Sequence, residues 1–157
     1  MANFVFNVAK GRVAEFYHRV KNNDPAAAVL RVIALNVTSP QDPAMIDADT
    51  VTALLALTDV AEVTNTGYTA GGEILTDTDL SVLTPNDTDD RMDLDTGDIT
   101  FSAISATPGW TDLVYVYDPL GTYADKDQCI PLTCHDFAVT PDGSDIIAQV
   151  ADFYRAS

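Results

Sequence analysis

The sequence predicts a mainly β fold of the α+β kind, a compact antiparallel β-sandwich or barrel-like domain with one or two short helices. Three observations carry this. Apolar residues alternate with polar ones over short runs, the period of a strand with one wet face. Breaks rich in Pro, Gly, Asn and Asp separate those runs. Of the 24 acidic residues, 21 are Asp and only Glu15, Glu62 and Glu73 are Glu. Asp favours turns and caps over helix interiors, because its short carboxylate bonds nearby backbone amides.

Taken in order, Phe4, Phe6 and Val8 alternate with Val5, Asn7 and Ala9, a first strand. Val13, Phe16, Tyr17 and Val20 fall at i, i+3, i+4 and i+7, which predicts a helix over 12–21. Pro25 stops it by pushing Asp24 out of helical geometry. The β-branched run from Ala28 to Val37 predicts a buried strand. Ser39 to Pro43 reads as a loop. Asp49 or Thr50 caps a second short helix through Leu57. Thr64 to Gly72, with four Gly and Asn residues, reads as a loop. Glu73–Leu75 and Leu80–Leu83 are short strand or turn pieces. The stretch from Pro85 to Asp98 is an acidic surface loop leading into strands at Met92, Leu94, Ile99, Phe101 and Ala103.

Further on, Leu113, Tyr115 and Tyr117 mark one face of a strand, and Val114 and Val116 the other. Strands are also expected at 128–132 and 137–139. Thr140-Pro141-Asp142-Gly143-Ser144 is a turn, since Pro141 presets one torsion and Gly143 accepts positive φ. A hairpin pairing Phe137–Val139 with Ile146–Val150 is expected around it. Asp152 to Arg155 would form a last strand or an ordered tail.

A length of 157 residues suits a single domain spanning 1–157, and 46% hydrophobic residues support a core. The net charge of −16 disfavours nucleic acid and anionic membranes as direct partners. It is unevenly placed. Residues 1–31 carry five basic and two acidic side chains, a net of +3; the remainder carries −19. A basic segment of this kind either serves as an interaction arm or docks on its own acidic body, and the second is expected. Met1–Val8 lacks the basic start and apolar run of a secretory signal. No apolar stretch nears the ~20 residues that span a bilayer. A soluble protein made in the cytoplasm is therefore expected.

No reactive constellation emerges. Cys134 and His135 are strand neighbours and should point apart, which disfavours a Cys–His pair. Cys129 and Cys134, five apart, should lie on opposite faces as buried free thiols. Zinc lacks a second ligand pair. Asp87, Asp89, Asp90, Asp93, Asp95 and Asp98 could supply a calcium loop, but Gly97 is one position early and no Glu closes the motif, so a solvated acidic face is favoured. Phosphate-cradling glycine motifs are absent. With aspartates so abundant, no carboxylate pair stands out for glycoside hydrolysis. Trp110 and Tyr115 read as core rather than groove. No catalytic residue, metal or cofactor is expected. The expected contact residues are Lys10, Arg12, Arg19 and Lys21 of the basic segment, and Gly67, Tyr68, Gly71 and Gly72 of the loop.

The stretches Asn7-Val8-Ala9-Lys10-Gly11-Arg12-Val13, Asn23-Asp24-Pro25 and Asn86-Asp87-Thr88-Asp89-Asp90-Arg91 carry a likeness. So does the closing run from Pro131-Leu132-Thr133-Cys134-His135-Asp136-Phe137 through Thr140-Pro141-Asp142-Gly143-Ser144-Asp145-Ile146. Together they resemble a family of small structural proteins of tailed bacteriophages. The likeness runs almost the whole chain, to Phe153-Tyr154-Arg155-Ala156-Ser157, and is strongest at the two ends. It implies a virion component, foremost a head decoration or cement protein bound to the major capsid protein or other virion proteins, and a homo-oligomer, a trimer among the options. A neck or tail component such as a tail-tube or terminator-like ring is the alternative. A calcium-dependent binding module, resting on the aspartates alone, is a second.

Overall fold

The computed structural model describes residues 3–39, 42–150 and 152–156. Pro40 and Gln41 of the expected 39–43 loop, the first two residues and Ser157 lie outside them.

The chain opens with β1 (Phe4–Val5) and a single 3-10 turn over Asn7–Ala9, so the expected first strand is cut short. Helix α1 (Val13–Lys21) buries the four residues its spacing marks out. Strand β2 (Val29–Val37) is buried along nearly its whole length. Helix α2 (Asp42–Ile46) replaces the second half of the expected loop. Pro43 suits its first turn, where a missing N–H costs nothing. Helix α3 (Val51–Leu55) is capped as expected, with the Ala53 amide donating to Thr50 Oγ1 at 3.1 Å. It is shorter than the run to Leu57 suggests.

The remaining elements are strands: β3 (Val60–Glu62), β4 (Glu73–Leu75), β5 (Thr84–Asn86), β6 (Arg91–Leu94), β7 (Ile99–Phe101), β8 (Trp110–Asp118), β9 (Ile130–Val139), β10 (Ile146–Ala148) and β11 (Tyr154–Ala156). All pairings are antiparallel. The central sheet runs β1-β9-β8-β2-β3, with β4 sharing the outer edge of β2 beside β3. Two small sheets, β10-β7 and β11-β6-β5, complete a mainly β, sandwich-like architecture.

Alternation along β2 and β8 writes two cores. Leu30, Val32, Ala34, Leu113, Tyr115 and Tyr117 meet α1, Phe101, Trp110 and Phe153 on one face. Ile33, Leu35, Val37, Val114 and Val116 meet Phe6, Met45, Val51 and Leu54 on the other. This is the division expected for Leu113–Tyr117.

Two expectations need correcting. Ile146–Ala148 pairs with Ile99–Phe101, not with Phe137–Val139. The 140–144 turn does form, with Asp142 Oδ1 accepting from the Ser144 amide. Its backbone, however, bonds Ile104 through the Gly143 amide and the Ser144 carbonyl, which carries the chain away from β9 toward β7. The cysteine phase is also different. A bulge sets Tyr115 opposite Thr133 but Val116 opposite Pro131, so Leu132 is the extra residue. The slip places both free thiols, Cys129 and Cys134, in the same apolar cluster despite their odd spacing. No helix among the described residues is long and apolar enough to cross a membrane.

Candidate contact surfaces and polar clusters

The basic segment divides its charges. Arg12 and Arg19 both reach Glu15, with Nε···Oε distances of 3.2 and 3.1 Å, along the exposed face of α1. Their hydrogen bonds hold the Glu15 carboxyl below its ordinary range. Lys10 donates to Asn7 Oδ1 at 2.6 Å. Lys21 turns inward and donates to the carbonyls of Asp77 and Leu80, both at 2.8 Å. Arg31 is buried. Lys21 and Arg31 thus dock the segment on its own body, while Lys10, Arg12 and Arg19 stay outward.

The 64–72 loop is packed rather than loose. A Cβ on Gly67 (φ +94°) would sit 2.5 Å from the Ala103 carbonyl, and one on Gly72 (φ +61°) would run into the Val32 carbonyl. Only glycine allows such an approach. The Tyr68 hydroxyl accepts from the Ala34 amide at 3.1 Å and donates to Glu62 Oε1 at 3.0 Å. Gly71 is buried and its amide donates to the same carboxylate at 2.5 Å. Glu62 Oε2 accepts from the Tyr123 hydroxyl at 3.0 Å. Burial and the neighbouring Glu62 charge push both tyrosine hydroxyls well up.

This hub continues into a buried ion pair. Arg31 Nε meets Asp118 Oδ2 at 2.8 Å, and the other guanidinium nitrogens donate to the Gly71 and Gly121 carbonyls. Asp118 also accepts from the amides of Leu120, Gly121 and Tyr123. Burial alone would raise its carboxyl. The Arg31 bond and those amides outweigh burial and hold it below its ordinary range. The network ties two loops, 63–72 and 119–129, to β2, β3 and β8.

Cys134 and His135 point to opposite faces. The Cys134 thiol donates to Asp112 Oδ1 at 3.7 Å, and burial pushes both groups up. Asp112 Oδ2 has no partner among the described residues. Burial raises the Cys129 thiol to about 11. A reactive thiol needs a shift the other way. His135 stands edge-on to Tyr115, its Nε2 sharing a 2.9 Å hydrogen bond with Thr133 Oγ1, and burial lowers its pKa.

The aspartates of 87–98 diverge. Asp93 binds Arg91 at 2.6 Å, Asp95 accepts from the Gly97 amide and Asp98 from the Val150 amide. Among the described residues, no group of three or more His, Cys, Asp and Glu side chains is placed to hold one metal ion.

A groove lies where sequence reasoning pointed to nothing. Two cavities of about 220 and 380 Å³ share Asn3, His135, Asp152 and Phe153 as walls. One side is the sheet edge at β9 and β1, the other the returning chain near Ala148 and Arg155. Phe153 forms the floor, stacked on Tyr115 at 4.4 Å. The groove joins residues more than a hundred positions apart, so no local pattern could reveal it. No family model, curated protein or solved structure matches this chain.

Proposed function

We propose that this chain is a structural protein of a tailed-phage particle, decorating the capsid lattice as one of many copies. The observation that carries the reading is the likeness of its two ends, Asn7–Val13 and Pro131–Ile146, to small phage structural proteins. The arrangement of the polar groups supports it. Arg31 and Asp118 are committed to each other and to loop backbone, Glu62 to the Tyr68 and Tyr123 hydroxyls and the Gly71 amide, and the thiols are shifted away from reactivity. A net charge of −16 suits a protein that must stay dispersed before assembly. Lys10, Arg12 and Arg19 are the outward cations through which it meets an acidic neighbour, whether the major capsid protein or another copy.

Mass spectrometry of purified particles tests this. The chain should be present at a copy number that tracks the capsid protein. A single ring's worth of copies would move it to the neck or tail. Its presence in infected cells but absence from particles would overturn the reading.

A further inference from the structure

Residues 119–129 join β8 to β9, and of these only Tyr123 and Cys129 are buried. The segment is held by polar anchors more than by apolar area. Its root is fixed by Asp118, which accepts from the Leu120, Gly121 and Tyr123 amides, and by Arg31, which donates to the Gly121 carbonyl at 2.8 Å. Its far part depends on Glu62 of β3. The Tyr123 hydroxyl donates to Glu62 Oε2 at 3.0 Å, and Lys126 Nζ stands 3.6 Å from the same oxygen. Lys126 Nζ also lies 4.7 Å from the centre of the Tyr123 ring, and the Arg31 guanidinium lies 5.2 Å from it. The Lys126 side chain is 36% exposed, so this outer anchor is open to screening by salt.

Tyr123 sits between the root and the outer anchor with φ at +55°. An aromatic residue disfavours that left-handed backbone, so its surroundings hold it there and it relaxes if they let go. Beyond it, residues 125–128 are bonded among themselves. Asp125 accepts from the Asp127 amide and the Gln128 side chain, and its carbonyl accepts from the Gln128 amide. This unit covers two things. The Cys129 and Lys126 carbonyls accept from the Val51 and Thr52 amides, the first N–H groups of α3, which no bond within the helix can satisfy. The Cys129 thiol lies 3.5 Å from the Asp125 carbonyl, in the apolar cluster that holds Val51 and Leu54.

We propose that residues 122–129 are a strap that swings open as a unit about Tyr123, with Glu62 as its catch and the strained Tyr123 backbone favouring release. The closed strap caps α3 and seals the Cys129 thiol. The open strap bares both, while the pairing of β8 with β9 stays intact. Cys134 then stays covered, because it lies within the sheet, paired with Phe4 on one side and Val114 on the other. The motion is independent of the virion reading.

Alkylation of the native protein with N-ethylmaleimide tests it, with each thiol's rate read by peptide mass spectrometry and normalised to its rate in the urea-unfolded chain. Cys129 should react about tenfold faster than Cys134, since local opening is easier than global unfolding. Tyr123→Phe removes the hydroxyl that reaches the catch, and should raise the Cys129 rate about tenfold further while leaving Cys134 unchanged. Lys126→Met keeps the stem and removes the cation. It should raise the Cys129 rate about threefold and abolish the acceleration by salt that the parent shows, which covers the case of a misfolded tyrosine variant. Tyr68→Phe strips a hydroxyl from the same carboxylate without touching the strap, and should leave the ratio of the two rates at its parental value. Equal normalised rates for the two thiols in the parent overturn the proposal. So does a parental ratio in Lys126→Met, or a ratio in Tyr68→Phe that rises as far as in Tyr123→Phe.

Discussion

The two faces of the central sheet are written by the same strands and solved by different chemistry. On the α1 face, Tyr17 and Tyr115 both stack on Phe153 and Phe101 meets Trp110 edge-on, and the few polar atoms of these rings find neutral partners. Trp110 Nε1 donates to Asn65 Oδ1 at 2.9 Å, and the Tyr17 hydroxyl meets the carbonyls of Ser81 and Asp95. On the opposite face, alternation places Arg31, Asp112 and Asp118 among aliphatic residues and thiols. One face is held by area and shape, the other partly by charge. The lesson is that the buried charges of Arg31, Asp112 and Asp118 lie on one side of the sheet, while the α1 side keeps a partly buried His135 beside Tyr115 and an exposed ladder around Glu15.

The largest test of that contrast is Arg31→Met. It leaves Asp118 charged and buried, with only backbone amides for company, and should cost about 4 kcal/mol in urea unfolding. The same interaction sets an acid limit. Because Asp118 is held below its unfolded value, its stabilisation is present above about pH 4 and lost as the pH falls through the folded value. Arg31→Met should therefore lose less than the parent on acidification.

Phe16→Ala on the aromatic face should cost about 3 kcal/mol, since the ring is buried against Tyr117 at 4.7 Å. That loss should hold constant across the neutral range. A pH-dependent loss would break the division between faces.

Asp112→Asn sharpens it with the opposite sign. Burial raises the Asp112 carboxyl, so the folded state disfavours its ionised form, and native stability falls as pH rises through that raised value. The substitution should gain about 1 kcal/mol at mildly alkaline pH, and the gain should vanish in acid. Glu15→Gln, in the solvent-exposed ladder of α1, should give the smallest change, within the error of a thermal melt and smaller still at high salt.

Much of this division is legible in the sequence alone. Val29 to Val37 and Leu113 to Tyr117 carry their faces in their spacing, and so do the four buried residues of α1. What failed was pairing. Pro141 and Gly143 specify a turn, but a turn does not specify its partner, and backbone bonds to Ile104 redirected this one. The bulge at Leu132 changed the phase of the cysteines, because one extra residue is invisible in a periodic count. Helix α2 and strand β3 are too short to leave a period. The loop glycines were visible as glycines. Their reason, close approach to Ala103 and Val32, depends on chain brought from elsewhere. The β9 groove required the ends of the chain to meet, which no local window contains.

Trp110 is the only tryptophan in the chain, and it is buried and hydrogen bonded. Intrinsic emission excited at the indole thus watches one half of the molecule, while thiol alkylation at Cys129 and Cys134 watches the other. Fluorescence and labelling kinetics, followed side by side, would reveal whether the halves come apart as one cooperative unit or in sequence.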